Sequence, residues 1–259
     1  MTQKLLEVTN LSMHYDTLDG NVDAVKNVSF TVNSGESFGL VGESGCGKTS
    51  VAMTLLQLQP DNSVITEGSI KLEGKELIGL SENDLRKVRW DSISIVFQGA
   101  MNAWNPVIKI GEQIREAMRE HYPQNSKQEN INKINELFKM VGLDESISER
   151  FPHELSGGMK QRAVIALALS CDPKIIIADE PTTALSLIET QKVFDFVNNI
   201  KAKGRSVLFI GHNIFHVYDI SDRFVILDRG RIVHQLEKTD VDSPENLIRI
   251  MKETVEKGE

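Results

Sequence analysis

The chain has 259 residues, of which 40% are hydrophobic and 25% charged, and its formal net charge is −8. This length suits one large domain or a core domain with a subdomain, and the acidic balance argues against a chain built as a whole to hold nucleic acid. No apolar run reaches the roughly 20 residues that span a bilayer. No signal-peptide core is visible, and Cys46 and Cys171 lack metal-ligand spacing. We therefore expect a reduced, cytoplasmic setting.

The first part of the chain is dominated by strand patterns, with Asp19-Gly20 as a turn signal between the first two. The third strand is continuously apolar and leads into a glycine-rich loop and then an apolar helix. We predict strands at residues 5–15, 24–32, 37–42, 69–74 and 93–97.

From Gly99 to Ala168 the apolar residues recur with helical periodicity. The polar segment 121–130 within this region is predicted to be a linker. Helices are expected at residues 110–118, 131–141 and 157–169.

Strand patterns return after this helical region, and a helix is predicted between the first two of them, with Val193, Phe196, Val197 and Ile200 on one face. The predicted strands are 174–179, 206–211, 223–228 and 231–236. The charged tail beyond Asp240 is expected to be mobile.

These patterns predict an α/β fold. Continuously apolar strands indicate a sheet covered on both faces, and alternation of strands with helices indicates parallel pairing. The expected organisation is a core formed by residues 1–98 and 169–240, a helical subdomain at 99–168 and a short tail at 241–259.

The segment GESGCGKTS places Gly42, Gly47, Lys48 and Thr49 at P-loop spacing, between a predicted strand and a predicted helix. Glycines permit turns that point successive N–H groups at phosphate oxygens. Lys48 would supply a cation to the β- and γ-phosphates, and Thr49 a hydroxyl to Mg²⁺. The residues expected to bind ATP here are Gly42, Glu43, Ser44, Gly45, Cys46, Gly47, Lys48, Thr49 and Ser50.

Two adjacent carboxylates, Asp179 and Glu180, end a continuously apolar strand. Ligands of open α/β sheets bind at the carboxyl ends of strands. We expect Asp179 to hold Mg²⁺ and Glu180 to act as a general base on the attacking water. Without a phosphate loop, the pair would be interpreted as solvated charges.

The segment LSGGMKQR (155–162) resembles the signature motif of the ABC ATPases, and the resemblance extends from about Leu5 to Leu236. It implies a P-loop NTPase fold with a RecA-like core, an N-terminal antiparallel β-subdomain and an inserted helical subdomain. It also implies head-to-tail dimers in which the signature of one subunit faces the ATP of the other. The signature residues are Ser156, Gly157, Gly158 and Gln161.

Three further roles follow from this resemblance. Gln98 matches the glutamine that contacts Mg²⁺ and water and senses the membrane partner, and His212 matches the histidine that contacts the γ-phosphate. Tyr15 is expected to stack on adenine, with His14 as a weaker candidate. The implied catalytic residues are Lys48, Glu180 and His212.

Two positions depart from the family pattern. Ser186 stands where the family usually has an aspartate that helps to couple the two ATP sites, and Asn213 follows His212 where an aspartate is common. The Ser186 to Glu189 segment has a capping-box pattern, so Ser186 is still expected to start a helix. We hypothesise weaker coupling between sites, or pairing with a different subunit that carries the aspartate.

The stretch FQGAMNAWNPV (97–107) resembles dipeptide and oligopeptide importer ATPases, although the HPYT-like motif of that subfamily is absent after Gln235. The resemblance implies peptide import, with nickel or another solute as the alternative. It also implies a second ATPase subunit, transmembrane permease subunits, an indirect solute-binding protein and a peripheral position on the cytoplasmic face of the membrane.

Functions other than transport fit the sequence less well. An ABC ATPase of DNA repair would carry long heptad runs, and one of translation would carry two motif sets, whereas this chain has one set and no sustained heptads. An interaction module without ATPase chemistry would not need Lys48, Asp179, Glu180 and His212 together. A P-loop kinase or GTPase would not need LSGGMKQR.

Overall fold

The computed structural model describes residues 3–99, 102–183 and 185–257. Ala100 and Met101 of the importer-like stretch, and Ala184 before Ser186, lie outside the described residues. The chain divides into two compact units. The first unit is Met1–Leu85 with Ser206–Glu259, and the second unit is Arg86–Arg205. The domain boundaries at 98/99 and 168/169 remain predictions.

The secondary structure confirms the strands and helices predicted for the core. The strands are β1 (Lys4–Thr17), β2 (Gly20–Asn33), β3 (Ser37–Val41), β4 (Ser63–Leu72), β5 (Lys75–Glu76), β6 (Ile93–Val96), β7 (Ile175–Asp179), β8 (Ser206–Gly211), β9 (Arg223–Asp228) and β10 (Arg231–Glu237). The α-helices are α1 (Lys48–Leu55), α2 (Glu82–Val88), α3 (Ile110–His121), α4 (Lys127–Met140), α5 (Gly157–Ala168), α6 (Leu187–Ala202), α7 (Ile214–Ile220) and α8 (Pro244–Lys257).

The first unit contains an antiparallel sheet in the order β2-β1-β4-β5. The β1–β2 turn lies at Leu18 and Asp19, one residue before the predicted position. Leu6, Val8 and Leu11 of β1 are buried, so this sheet has an apolar inner face. This arrangement is the antiparallel β-subdomain that the family resemblance implied.

The first unit also contains parallel strands. β3 pairs in parallel with both β8 and β9, and β9 forms an antiparallel hairpin with β10 through Arg229 and Gly230. All residues of β3 and β8 are buried, as continuously apolar strands predict. The phosphate loop therefore leaves from a strand with a hydrogen-bonded neighbour on each side.

In the second unit, β6 and β7 pair in parallel, with Ile93 opposite Ile175. Helix α3 packs against α4 and α5. Ile110, Ile114 and Met118 of α3 are buried and recur at intervals of four residues, which places them on one helical face. The predicted helices of this region are thus confirmed.

Two segments differ from their predicted character. The linker predicted at 121–130 shortens because Ser126 caps α4 and Glu129 completes a capping box, so the helix starts at Lys127. The tail expected to be mobile contains α8, in which Leu247 is fully buried. Apolar packing of Leu247 explains why this charged segment is ordered. In the part of the chain described, no helix has the length and apolar character needed to cross a membrane.

Candidate functional site

The phosphate loop connects β3 to α1, and Gly47 is the N-cap of that helix. Gly47 has a φ of +107°, a backbone conformation that residues with a Cβ rarely adopt. A Cβ at this position would also lie 2.3 Å from the carbonyl oxygen of Ala24 in β2. Glycine is therefore required at position 47 for two reasons, namely its positive φ and its close contact with β2.

Lys48 is only 6% exposed, and its ammonium group lies inside the loop. Nζ donates hydrogen bonds of 2.8 Å to the carbonyl oxygens of both Gly42 and Glu43. It also contacts Cys46 Sγ at 3.8 Å. Burial raises the pKa of the Cys46 thiol, while the nearby Lys48 charge acts in the opposite direction. The loop thus presents a fixed cation, as phosphate binding requires.

The exposed part of the loop consists of Glu43, Ser44, Gly45 and Thr49, whereas Gly42 is buried. Gly42, Glu43 and Ser44 line an open cavity of about 770 Å³ within the first unit. The remaining lining residues are His212 and Ile214, which follow β8, and Ile248, Met251 and Lys252 of α8. The structure therefore brings His212 to the same cavity as the phosphate loop.

Tyr15 of β1 is partly buried, and its hydroxyl lies 3.0 Å from the hydroxyl of Ser50 in α1. The alternative candidate, His14, contacts Asp16 at 3.0 Å and Asn21 at 3.2 Å through Nε2. Tyr15 is therefore attached to the phosphate-loop helix, whereas the described bonds of His14 are to its own hairpin.

The acidic strand end lies in the second unit, where Asp179 is the last residue of β7 and is 1% exposed. Glu180 follows with a φ of +49°, which is uncommon for a residue with a side chain. Gln98 Nε2 donates to Glu180 Oε2 at 3.0 Å, and Thr183 Oγ1 donates to the same oxygen at 3.1 Å. Backbone strain of this kind is a common feature of functional sites, and here it occurs at a residue whose carboxylate is oriented by two hydrogen bonds.

The signature segment begins α5, also in the second unit. Ser156 is the N-cap, and its Oγ accepts from the Met159 N–H at 3.3 Å. Ser156 and Gly157 are exposed, so the N-terminal end of the helix is accessible to an anion. Gln161 is only 4% exposed, and its burial does not favour the predicted contact with the ATP of a partner.

The two unusual positions both cap helices. Ser186 starts α6, and its Oγ accepts from the Glu189 N–H at 3.3 Å, as the capping pattern predicted. The Glu189 carboxylate instead accepts from Arg162 Nη1 at 2.5 Å. Asn213 starts α7 and accepts from the His216 N–H at 3.4 Å. Since serine, asparagine and aspartate are comparable N-caps, both replacements preserve the helix start.

Sequence reasoning did not identify Thr183, Arg162 or the cavity-lining residues of α8. The apolar residues Leu247, Ile248 and Met251 have helical spacing, which was an available signal for α8. The Arg162 contact with Glu189 depends on tertiary packing. The Thr183 contact with Glu180 is local, three residues apart, but the sequence has no comparable signal for it.

Comparison with known proteins places these features in a family. Residues 25–183 match the ABC transporter family. The chain is 40% identical over 241 residues to the oligopeptide transport ATP-binding protein AppD of Bacillus subtilis, covering 92% of this chain and 73% of AppD. It is 37% identical over 235 residues to the dipeptide transport ATP-binding protein DppD of Lactococcus lactis, covering 89% of this chain and 67% of DppD.

Solved structures show the same fold. The ATP-binding cassette MJ0796, solved as a dimer in a post-hydrolysis state with ADP and Pi, is 28% identical, with a TM-score of 0.82 over 90% of this chain and 99% of MJ0796. CbiO1 of Clostridium perfringens, part of an ABC transporter complex, has a TM-score of 0.80 over 96% of this chain and 95% of CbiO1, at 24% identity. The α/β fold predicted from the sequence is therefore confirmed as the ABC ATPase fold.

Proposed function

The chain belongs to the ABC transporter family and is an ATPase of that family, and we propose that it powers the import of di- or oligopeptides across the cytoplasmic membrane. The single observation that carries the ATPase part is the phosphate loop, with Lys48 buried inside it and bonded to its carbonyl oxygens. The importer part rests on similarity to peptide-transport subunits.

The loop fits the triphosphate of ATP. Gly47 has the conformation that starts α1 directly from the loop, so the helix N-terminus adds its positive end to the backbone N–H groups. Lys48 would contribute a charge-assisted bond to the β- and γ-phosphates. Tyr15, attached to α1 through Ser50, would stack on adenine. His212, on the cavity shared with the loop, would contact the γ-phosphate.

The residues expected at the metal also fit Mg²⁺, because hydroxyl, amide and carboxylate oxygens are the hard ligands that it prefers. Thr49, Gln98 and Asp179 would hold it, together with phosphate oxygens. The bound ion would neutralise charge on the transferred phosphoryl group. The buried position of Asp179 suits a carboxylate that is paired with a cation.

Glu180 is the proposed general base. The two hydrogen bonds from Gln98 and Thr183 fix one carboxylate oxygen, so the orientation of the group toward a water is constrained. General-base catalysis requires this kind of fixed geometry as well as a suitable pKa. A bond between Gln98 and Glu180 also connects the residue expected to sense the membrane partner with the residue expected to do the chemistry.

The proposed working unit is a dimer. Similar cassettes are dimeric, and the exposed start of α5 at Ser156 and Gly157 offers N–H groups to an anion outside the chain. In the proposal, that anion is the γ-phosphate of ATP bound to the other subunit. Hydrolysis would then remove contacts that hold the two subunits together.

The remaining partners are permease subunits and, indirectly, an extracytoplasmic solute-binding protein. The chain would lie on the cytoplasmic face of the membrane through its contacts with the permease. Cargo would be selected by the permease and the solute-binding protein, so the peptide part of the proposal needs a test in cells.

The experiment is uptake of a labelled dipeptide and a labelled oligopeptide by cells that carry or lack this chain. Cells that produce the Lys48→Ala variant serve as the matched control for loss of ATP binding. We expect peptide uptake to fall both in cells that lack the chain and in cells that produce Lys48→Ala, and to return when the natural chain is produced. Unchanged peptide uptake, with loss of uptake of Ni²⁺ or another solute, would contradict peptide import.

A further inference from the structure

The Glu189 carboxylate connects two helices of the second unit. Its Oε2 accepts a 2.5 Å hydrogen bond from Arg162 Nη1 of α5, and its Oε1 accepts from Lys192 Nζ of α6 at 3.3 Å. The Arg162 side chain is 6% exposed and that of Glu189 23%. This ion pair is therefore largely shielded from solvent, unlike an ordinary surface pair.

Helix α4 of the same unit shows the contact that Glu189 would make if its carboxylate capped its own helix. Ser126 and Glu129 have the same spacing at the start of α4, and the Glu129 carboxylate accepts from the Ser126 N–H at 2.7 Å. At α6 the Ser186 hydroxyl makes the corresponding bond to the Glu189 N–H, but the bonds that the Glu189 carboxylate oxygens accept come from Arg162 and Lys192. The carboxylate therefore connects α6 to α5.

Gly158 supplies the space for this contact. A Cβ at Gly158 would lie 2.5 Å from Oε2, 2.6 Å from Cδ and 2.7 Å from Cγ of Glu189. Gly158 is not among the glycines with positive φ, so its backbone conformation does not require glycine. Arg162 lies four residues later on the same face of α5. The second glycine of the signature and this arginine together accommodate the carboxylate.

We propose that Glu189 is a positioning residue for the signature, fixing the exposed start of α5 relative to the start of α6. Helix α6 follows Asp179 and Glu180 at the end of β7. The ion pair between Glu189 and Arg162 therefore connects the signature helix with the segment that follows these two carboxylates in the same subunit. The proposal rests on the proposed function, in which Ser156 and Gly157 bind ATP held by another subunit. Loss of the carboxylate then weakens binding across the dimer and leaves binding to the phosphate loop intact.

The test uses the full chain carrying Glu180→Gln, so that bound ATP persists. ATP-dependent self-association is measured by analytical ultracentrifugation, and ATP affinity of the single subunit by fluorescent-nucleotide titration. We expect Glu189→Ala to weaken association at least about tenfold, the effect of losing one charge-assisted bond, with ATP affinity unchanged within about twofold. Glu189→Gln retains an acceptor for Arg162 and should give an intermediate result. Glu129→Ala is the matched control and should not alter association.

A second pair of variants tests whether Gly158 is needed because a side chain at this position would collide with Glu189. Gly158→Ala introduces the Cβ that collides with Glu189, and the double variant with Glu189→Ala removes the collision. We expect the double variant to associate more strongly than Gly158→Ala alone, a non-additive result that contacting residues produce. Equal or weaker association of the double variant would contradict a role of Glu189 at Gly158.

The outcomes distinguish this inference from the proposed function. If the parent chain with Glu180→Gln fails to bind ATP, or does not self-associate when ATP is present, the proposed function and this inference are both overturned. If the parent associates and Glu189→Ala behaves like Glu129→Ala, the positioning role alone is overturned. In chains with natural Glu180, the same role predicts lower turnover with an unchanged KM for ATP, and a raised KM with unchanged turnover contradicts it.

Discussion

The side-chain amide of Gln98 donates a 3.0 Å hydrogen bond to the Glu180 carboxylate. The hydroxyl of Thr183, three residues after Glu180, donates to the same carboxylate oxygen at 3.1 Å. Glu180 itself has an unusual φ of +49°. These contacts orient the proposed base.

Removing either donor should slow hydrolysis without preventing ATP binding. We expect Gln98→Ala and Thr183→Val each to lower ATPase turnover by about tenfold, because one hydrogen bond to a charged group is lost. ATP affinity should change less, since the phosphate loop is intact. The measurement is steady-state turnover together with nucleotide titration. Gln128→Ala is the control, because the amide of Gln128 donates to Asn132 of the same helix on an exposed surface. Full turnover in both variants would exclude this role.

Two of the glycines of the phosphate loop, Gly45 and Gly47, should respond differently to alanine. Gly45 has a φ of +82° with open space at its Cβ position, so Gly45→Ala should cost about 1–2 kcal/mol of unfolding free energy from the backbone alone. Gly47→Ala should cost a further 1–3 kcal/mol or so, because the Cβ would collide with the Ala24 carbonyl oxygen. Urea unfolding of both variants checks the order. Equal losses would contradict the close contact with β2.

Cys46 should react slowly with alkylating agents. Burial raises the pKa of its thiol above the ordinary value of 9.0, so less thiolate is present at pH 8 than at an exposed cysteine. The native rate should keep rising as pH increases through 9.0. Cys171, whose pKa burial raises to about 11, serves as an internal comparison. Mass spectrometry should show that ATP slows the reaction of Cys46 but not of Cys171, and that alkylated Cys46 prevents ATP binding. Normal ATP binding by the alkylated protein would refute this.

Restoring the family aspartate should affect coupling rather than folding. Aspartate and serine are comparable N-caps, so Ser186→Asp should change the unfolding free energy by no more than about 0.5 kcal/mol. We expect higher ATPase turnover in the complex assembled with the permease. Chemical unfolding and ATPase assays of the two complexes make the comparison. An unchanged turnover would remove the hypothesis that Ser186 weakens coupling.

Local sequence signals predicted the core of the fold because each relevant interaction is encoded nearby. The apolar run at β3, the glycines at 45 and 47, and Ser126 before α4 each specify a local conformation. The strand–loop–helix context of Lys48 was predictable for the same reason.

Contacts that depend on packing were not predictable. The sequence gives the pattern Ser-x-x-Glu at both Ser126 and Ser186, yet the first glutamate completes a capping box and the second contacts Arg162. The difference arises because Gly158 leaves space beside Glu189. In the same way, burial of Gln161 and order in α8 follow from tertiary packing that a local pattern does not report.

The assignment of Glu180 is tested most directly by the ATPase turnover of the purified chain with and without Glu180→Gln, measured together with ATP affinity. We expect turnover to fall by about 10²- to 10⁴-fold, the usual contribution of a general base, while ATP binding persists. Lys48→Ala, in contrast, should lose ATP binding itself. A Glu180→Gln variant that hydrolyses ATP at the rate of the natural chain would contradict the assignment of Glu180 as the base.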